Sequence, residues 1–205
     1  MKKVTTLVSP QDSLPGRDTD MPVNARHFVL DTDIKDYPDK YSSIIFGLGC
    51  FWGAEKLFWS MQGVYTTAVG YAGGYTPNPT YEEVCSGQTG HTEVVLVVYD
   101  TNTLPIDTLL STFWQEHDPS QGMRQGNDIG TQYRSAIYVN NDEDYDIALQ
   151  SKDKYQQQLH HSGFPDITTE IKINTTFYYA EEYHQQYLGK NPTGYCGLRG
   201  TGVDF

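Results

Sequence analysis

Short apolar runs along the chain predict the strands of a buried sheet. The strongest run, residues 93–99, is rich in β-branched residues and is apolar at odd and even positions alike. We therefore expect this strand at the centre of the sheet, covered on both faces. Weaker runs at residues 43–48, 64–71 and 134–139 predict three further strands.

Apolar residues at helical spacing predict helices between these strands. One stripe, in a helix over residues 52–61 that Gly63 closes, consists of Ala54, Leu57, Phe58 and Met61. A second stripe follows Pro105 and consists of Ile106, Leu109, Leu110, Phe113 and Trp114. The acidic run at residues 142–144 suits the positive end of another helix, and a last helix is expected near residues 178–188.

The order of these elements predicts an α+β fold. Strands and helices do not alternate regularly enough for a doubly wound sheet, so we expect a two-layer α/β sandwich with a mixed sheet and a ferredoxin-like core. The length of 205 residues fits a single domain. Within it we expect an extended N-terminal arm at residues 1–40, a core at residues 41–188 and a flexible, coiled C-terminal tail at residues 189–205.

Composition and charge narrow the possible partners. Hydrophobic residues make up 38% of the chain and charged residues 20%, which is enough to bury a core. A net charge of −12 repels phosphate backbones and anionic membranes, so we expect no nucleic-acid or membrane partner. No apolar run approaches the ~20 residues that cross a bilayer, and the N-terminal residues lack a signal-peptide pattern. We therefore expect a cytoplasmic protein.

Three cysteines, Cys50, Cys85 and Cys196, are too few and too far apart for a disulfide scaffold. Cys50 stands out because GlyCysPheTrpGly at residues 49–53 places it between a buried strand and the first turn of a helix. Free backbone N–H groups and the helix dipole stabilise a thiolate there, so we predict a lowered pKa and a nucleophile. A buried structural cysteine is the alternative, against which the flanking glycines and aromatic residues argue.

Several motifs in a fixed order resemble the A-type peptide methionine sulfoxide reductases. They are GlyCysPheTrpGly (49–53), GlyTyrAlaGlyGly (70–74), GlyHisThrGlu (90–93), HisAspPro (117–119) and GlnTyrArgSer (132–135). The resemblance runs from about residue 44 to residue 200. It implies an α+β sandwich that reduces the S epimer of methionine sulfoxide, in proteins and in free form, and so repairs oxidised proteins.

The chemistry of such an enzyme requires an acid. A sulfoxide sulfur accepts a thiolate only as its oxygen gains a proton, so the acid must stay protonated near neutral pH. Glu93 begins the most hydrophobic strand, where burial would raise its pKa, and it matches the family's proton-donating glutamate. A glutamate facing water at the edge of a strand is the alternative. Tyr81 and Tyr133 match family tyrosines whose hydroxyls bind the sulfoxide oxygen.

The resemblance also implies a substrate-binding set. Phe51 and Trp52 match an aromatic wall that receives the substrate methyl group, although either could belong to the core. Asp128 matches a carboxylate that holds the substrate backbone; a loop aspartate that bonds nearby amides is the alternative.

Cys196 is the expected resolving cysteine. Attack by Cys50 should leave a sulfenic acid, and Cys196 lies in a glycine-rich tail that can bend to form a Cys50–Cys196 disulfide. Many relatives carry a further cysteine beyond this position, whereas residues 197–205 hold none. We therefore expect thioredoxin, or a similar dithiol protein, to attack this disulfide directly. Cys85 is expected to be non-catalytic, and we expect a monomer with no metal or other cofactor.

Two other functions are compatible with the cysteines. A cysteine hydrolase would pair Cys50 with His91, His117 or His184, but no hydrolase motif selects one of them. A redox switch without catalysis would use the two candidate cysteines and leave the acid and the tyrosines without a role. A metal site is less favoured, because the cysteines lack close pairing.

Overall fold

The computed structural model describes residues 3–205, so the first two residues of the predicted arm lie outside it. The strands within this range are β1 (Ser42–Leu48), β2 (Val64–Ala72), β3 (Thr92–Tyr99), β4 (Arg124–Gln125), β5 (Asp128–Ile129), β6 (Ser135–Val139), β7 (Glu170–Ile173) and β8 (Phe177–Tyr179). The α-helices are α1 (Phe51–Trp59), α2 (Tyr81–Cys85), α3 (Ile106–Glu116), α4 (Asp142–His161) and α5 (Tyr187–Lys190). Among residues 3–205, none of the helices combines the length and the apolar composition of a membrane span.

Six strands form one sheet in the order β7-β6-β1-β3-β2-β8. Strands β6 and β7 are parallel, and all other neighbours in the sheet are antiparallel. Strands β4 and β5 form a separate two-stranded hairpin. The predicted α+β class and mixed sheet are therefore confirmed, while a ferredoxin-like core stays a prediction.

Strand β3 is buried along its whole length, as its sequence predicts. Its odd-numbered residues face the helices, where Phe46 of β1 stacks between Phe58 of α1 and Phe113 of α3 at ring-centroid distances of 4.9 and 5.1 Å. Its even-numbered residues face a second apolar cluster that includes Ile34 from the N-terminal segment. Residues 3–40 hold no long helix or strand, yet they cover the face of the sheet that the helices leave free.

The predicted helix at residues 178–188 is wrong. The aromatic residues 177–179 instead form strand β8, which pairs with the free edge of β2. Aromatic side chains favour strands, and the open edge supplies the hydrogen-bond partners that an isolated helix would otherwise need. After turns at residues 182–186, only the four-residue helix α5 follows.

The segment between β2 and β3 contains the short helix α2, which the apolar pattern did not predict. A local signal was present, however. Thr80 and Glu83 form a capping box, in which the Thr80 hydroxyl accepts from the Glu83 backbone N–H and the Glu83 carboxylate accepts from the Thr80 N–H.

The C-terminal segment lacks helices and strands after α5 but packs on the domain. Leu198, Val203 and Phe205 contact the core on the helical side of the sheet. The Tyr155 hydroxyl of α4 lies 3.0 Å from the Val203 carbonyl oxygen, to which it donates a hydrogen bond. The residues that follow Cys196 in the sequence are therefore anchored to the domain.

Candidate active site

Cys50 lies at the sharp turn between β1 and α1. The preceding Gly49 has φ +89°, and a Cβ at that position would lie 2.6 Å from the Cβ of Gln125. Glycine is therefore required for both its conformation and its close packing. Cys50 is the N-cap of α1, and the Trp52 backbone N–H favours its thiolate. This position is the one that the sequence predicts.

The predicted lowering of the Cys50 pKa is wrong. Burial raises the pKa of this thiol well above its usual range, and the nearby carboxyl groups of Glu93 and Asp128 raise it further. The hydrogen bond from Trp52 opposes these effects without reversing them. A helix N-terminus alone therefore does not decide the charge of this cysteine, because the fold buries the thiol and brings acidic groups from distant segments close to it.

Glu93 faces Cys50 from the sheet. Its side chain lies on the helix-facing side of β3 and is 2% exposed. One carboxyl oxygen accepts a hydrogen bond from the Phe51 backbone N–H at 3.0 Å, so Glu93 lies at the N-terminus of the helix that carries the thiol. Burial raises the pKa of Glu93 to about 8, whereas the Phe51 hydrogen bond lowers it and Asp128 raises it. The carboxyl group is thus mainly protonated at pH 7. Its pKa is shifted upward, as its place on a hydrophobic strand predicts.

Tyr81 begins α2 and comes close to Glu93. The Glu181 carboxylate accepts hydrogen bonds from the Tyr81 backbone N–H (2.8 Å) and from the Tyr71 hydroxyl (2.9 Å), which fixes the start of the helix. Burial raises the pKa of Tyr81, and the charge of Glu93 raises it further. Its hydroxyl is therefore a neutral donor in the site.

Tyr133 ends a 3-10 turn at Thr131–Tyr133 just before β6. The buried Arg134 side chain holds this turn to the GlyHisThrGlu segment, because it donates to the carbonyl oxygens of Thr131 and Gly90, each at 3.0 Å. Burial raises the pKa of Tyr133, and both Glu93 and Cys50 add to the increase. The structure thus brings Tyr133 together with the acid and the thiol.

Phe51 and Trp52 form an aromatic surface beside Cys50. The Trp52 ring stacks on Tyr187 with centroids 3.8 Å apart, and its indole N–H donates to Nδ1 of His184 at 3.1 Å. The centroid of the Phe51 ring lies 5.0 Å from that of His184. Phe51 is buried and Trp52 is only partly buried, so Trp52 is the more accessible of the two.

Asp128 and Cys196 are the two remaining candidate site residues, and both lie close to the start of α1. The exposed Tyr195 donates a hydrogen bond to Asp128 at 3.2 Å, which places the C-terminal segment over the site. A Cβ at Gly53 would lie 2.9 Å from the Cys196 sulfur, so glycine leaves room for this sulfur on the first turn of α1. Cys85 is buried at the end of α2, and burial raises the pKa of its thiol to about 11.

The three candidate histidines are not arranged as a base for Cys50. His91 accepts from the Gly74 N–H and bonds the Thr76 carbonyl oxygen, and both ring nitrogens of His117 are also bonded. In His184, Nδ1 accepts from Trp52, so Nε2 carries the hydrogen and cannot take a proton from a thiol. A hydrolase dyad is therefore not formed. Within residues 3–205, no group of three or more His, Cys, Asp or Glu side chains is arranged to hold a metal ion.

Sequence reasoning missed the role of three residues that support the site side chains, of which it named only His184, as a possible hydrolase base. Glu181 holds Tyr81, while His184 and Tyr187 hold Trp52. All three lie in the segment that was expected to be helical. The only signal was a run of polar residues without an apolar stripe at 181–186, which argues against a helix but assigns no role.

The protonation state of the Cys50 thiol can be tested by the rate of its alkylation. We expect iodoacetamide to modify Cys50 more slowly than the exposed Cys196 at pH 7, because burial and neighbouring carboxyl groups keep the Cys50 thiol protonated. Mass spectrometry of the modified peptides separates the two rates within one sample. Faster alkylation of Cys50 than of Cys196 would contradict the assignment and restore the prediction made from the sequence.

Comparisons with known proteins agree on one family. The family model for peptide methionine sulfoxide reductase matches residues 42–202. The chain is 59% identical to the peptide methionine sulfoxide reductase MsrA of Brucella anthropi over 203 residues, which are 98% of this chain and 93% of that protein. The structure of methionine sulfoxide reductase A from Corynebacterium diphtheriae superposes with a TM-score of 0.89 and 46% identity, covering 97% of each chain.

Saccharomyces cerevisiae Mxr1 in its reduced form is also similar, with a TM-score of 0.74 and 36% identity over 80% of this chain and 96% of that one. Mxr1 has further been solved in complex with Trx2, where the likeness falls to a TM-score of 0.54 and 22% identity over 77% of this chain and 93% of that one. The chain therefore belongs to the peptide methionine sulfoxide reductase family of oxidoreductases.

Proposed function

We propose that the chain reduces the S epimer of methionine sulfoxide to methionine, in proteins and in free form, and thereby repairs oxidised proteins. One observation carries this proposal. The N-terminus of α1 holds both Cys50 and, through the Phe51 N–H at 3.0 Å, the buried carboxyl group of Glu93. A sulfur nucleophile and an acid that is protonated near neutral pH are thus presented to the same small volume.

Glu93 acts as the acid. With a pKa of about 8 it carries its proton at pH 7 and donates it to the sulfoxide oxygen as the sulfur is attacked. The neutral hydroxyls of Tyr81 and Tyr133, whose pKa values burial raises, donate hydrogen bonds to the same oxygen. These donors stabilise the oxygen where the proton arrives.

No strong base deprotonates Cys50, which reacts while Glu93 is neutral. Burial raises the pKa of Cys50, and the further rise that a charged Glu93 would cause is absent while Glu93 holds its proton. As the Cys50 sulfur attacks the sulfoxide sulfur, the thiol proton replaces the one that Glu93 has given to the oxygen, and the protonated oxygen passes to Cys50. The products are methionine and a Cys50 sulfenic acid, so one thiol and one sulfoxide balance one sulfenic acid and one thioether.

The aromatic surface selects the substrate. The methyl group packs on Phe51 and Trp52, where sulfur and methyl contacts with aromatic rings are favourable. The oxygen points to Glu93 and the tyrosines, and Asp128 holds the substrate backbone. Because these contacts lie in fixed directions about the sulfur, one epimer fits and its mirror arrangement does not.

Cys196 resolves the sulfenic acid. Its sulfur lies against Gly53 on the first turn of α1, close to Cys50. Condensation of the Cys196 thiol with the sulfenic acid forms the Cys50–Cys196 disulfide and releases water. We infer that thioredoxin then reduces this disulfide to two thiols, an inference favoured by the solved complex of the relative Mxr1 with Trx2. The enzyme would work in the cytoplasm as a monomer, without a metal or other cofactor.

Separated sulfoxide epimers test this function. We expect the chain to reduce the S epimer of a methionine sulfoxide peptide with dithiothreitol and to leave the R epimer unchanged, as measured by chromatography of the products. The Cys50→Ser variant serves as the blank. Equal turnover of both epimers would contradict the proposed selectivity. Turnover of neither epimer would contradict the proposed reductase function.

A further inference from the structure

A second buried carboxylate lies on α1, the helix that follows Cys50. Glu55 is 0% exposed and has no part in the reaction proposed above. Its Oε1 accepts hydrogen bonds from the Thr67 hydroxyl at 3.0 Å and from the Gln186 side-chain amide at 2.7 Å. Its Oε2 accepts one from the Gln186 backbone N–H at 2.8 Å. Burial of a carboxylate costs free energy unless hydrogen bonds compensate for it, so the groups that bind Glu55 indicate its structural role.

All of these partners are donors. Nδ1 of His27 accepts from two backbone N–H groups that follow it, so its Nε2 carries the hydrogen and donates to Thr67 Oγ1 at 2.9 Å. The hydroxyl hydrogen of Thr67 is thereby left for Glu55. Burial raises the pKa of Glu55 to about 7, and the hydrogen bonds from Gln186 and Thr67 oppose that rise. These three donors favour the ionised form of Glu55, because a proton on its carboxyl group would find no acceptor among them.

Glu55 holds an unusual backbone conformation. Gln186 has φ +48° and ψ +41°, a left-handed conformation that costs free energy for a residue with a side chain. Both the backbone N–H and the side chain of Gln186 are bonded to Glu55, which offsets that cost. Gln186 is also the N-cap of α5, so its conformation sets the direction in which the next residue, Tyr187, leaves the chain.

Tyr187 is the residue that stacks on Trp52, with ring centroids 3.8 Å apart and planes 13° apart. Trp52 and Glu55 are three positions apart on α1 and therefore lie on the same side of the helix. The helix thus contacts residues 184–187 at two points. At one point Trp52 meets His184 and Tyr187, and at the other Glu55 binds Gln186.

We propose that Glu55 is a positioning residue for the methyl-binding surface, which holds Gln186 in its left-handed conformation and thereby holds Tyr187 against Trp52. This rests on the proposed function, which assigns Trp52 to the substrate methyl group. A rigid surface distinguishes a methyl from an ethyl group, whereas a surface released from Tyr187 accepts both. Glu55 therefore acts on substrate selection and not on proton transfer.

Two substrates of different size test the proposal. The readout is the ratio of kcat/KM for methionine sulfoxide to kcat/KM for ethionine sulfoxide, both as S epimers, with dithiothreitol as reductant. Glu55→Gln places an amide N–H₂ among three donors and breaks the link to Gln186. We expect the ratio to fall about tenfold, the lower end of what one methylene group contributes, mainly through a lower KM for ethionine sulfoxide. Lys56→Gln, on the exposed neighbour, should leave the ratio unchanged.

A double-mutant cycle separates positioning from general damage. Tyr187→Ala should lower the same ratio, and adding Glu55→Gln to it should lower the ratio no further, because Glu55 acts through Tyr187. If Glu55→Gln does not fold, Gln186→Ala breaks the same link from the other side and carries the same expectation. The proposal is overturned if the two substrates slow equally or if the two single effects multiply. Absence of sulfoxide turnover in the unaltered chain would instead overturn the proposed function.

Discussion

Glu93→Gln should slow the first turnover of methionine sulfoxide by about 10²- to 10⁴-fold, the range that a positioned acid contributes. Glutamine has nearly the same shape and can still accept the Phe51 N–H, which now lies 3.0 Å from the carboxyl oxygen. It cannot supply the proton that the sulfoxide oxygen needs. The measurement is the amount of methionine formed per enzyme in a rapid-quench experiment without added reductant.

The same variant should change the dependence on pH. The pKa of Glu93 is raised to about 8, so the unaltered enzyme keeps its acid below that pH and loses activity as the pH rises through it. Glu93→Gln has no such group, and its residual rate should lack this alkaline fall. Glu82→Gln, which removes a carboxylate from an exposed position on α2, is the matched control and should retain both the rate and the fall. A Glu93→Gln enzyme with the normal rate and normal pH profile would remove the acid from the mechanism.

Cys196→Ser should separate the two halves of the cycle. Cys50 and Glu93 are untouched, so the variant should release methionine once per enzyme molecule at the normal rate. The sulfenic acid on Cys50 then lacks the thiol that lies over Gly53, and turnover driven by thioredoxin should stop. Methionine release and the oxidation of thioredoxin, followed in the same reaction, measure the two halves.

Cys85→Ser is the control for this variant. Cys85 is buried at the end of α2, and its replacement should leave thioredoxin-driven cycling intact. Trapping with dimedone should mark Cys50 in the Cys196→Ser variant after one turnover. Sustained cycling of Cys196→Ser with thioredoxin would show that another route reduces Cys50, and the assigned role of Cys196 would be wrong.

Local patterns predicted the inner part of the fold well. The β-branched run at 93–99 is the central strand β3, and the stripe after Pro105 is α3. The strand follows from its β-branched residues and the helix from side-chain periodicity, and neither needs knowledge of distant residues. The edge of the sheet was less predictable. Residues 177–179 became a strand because β2 had a free edge to pair with, and that edge is not visible in the residues themselves.

In the candidate site, too, local features were predicted from the sequence and effects of distant segments were not. The position of Cys50 at the start of a helix is local, since Gly49 turns the chain there, and the sequence predicted it. The direction of the Cys50 pKa shift was predicted wrongly, because the fold buries the thiol and brings the carboxyl groups of Glu93 and Asp128 to it from other segments. Electrostatic effects depend on distance in space and on burial, and neither is encoded by spacing along the chain.

By itself the sequence determined the central strand, the flanking helices, the turn that presents the thiol and the motifs that resemble one family. The tertiary structure alone decided that the N-terminal segment covers the second face of the sheet, that Glu55 binds Gln186, and that Tyr187 stacks on Trp52. The physical reason is that periodicity and turns act between neighbours in the chain. Burial and pairing instead join residues more than a hundred positions apart, such as Glu55 and Gln186.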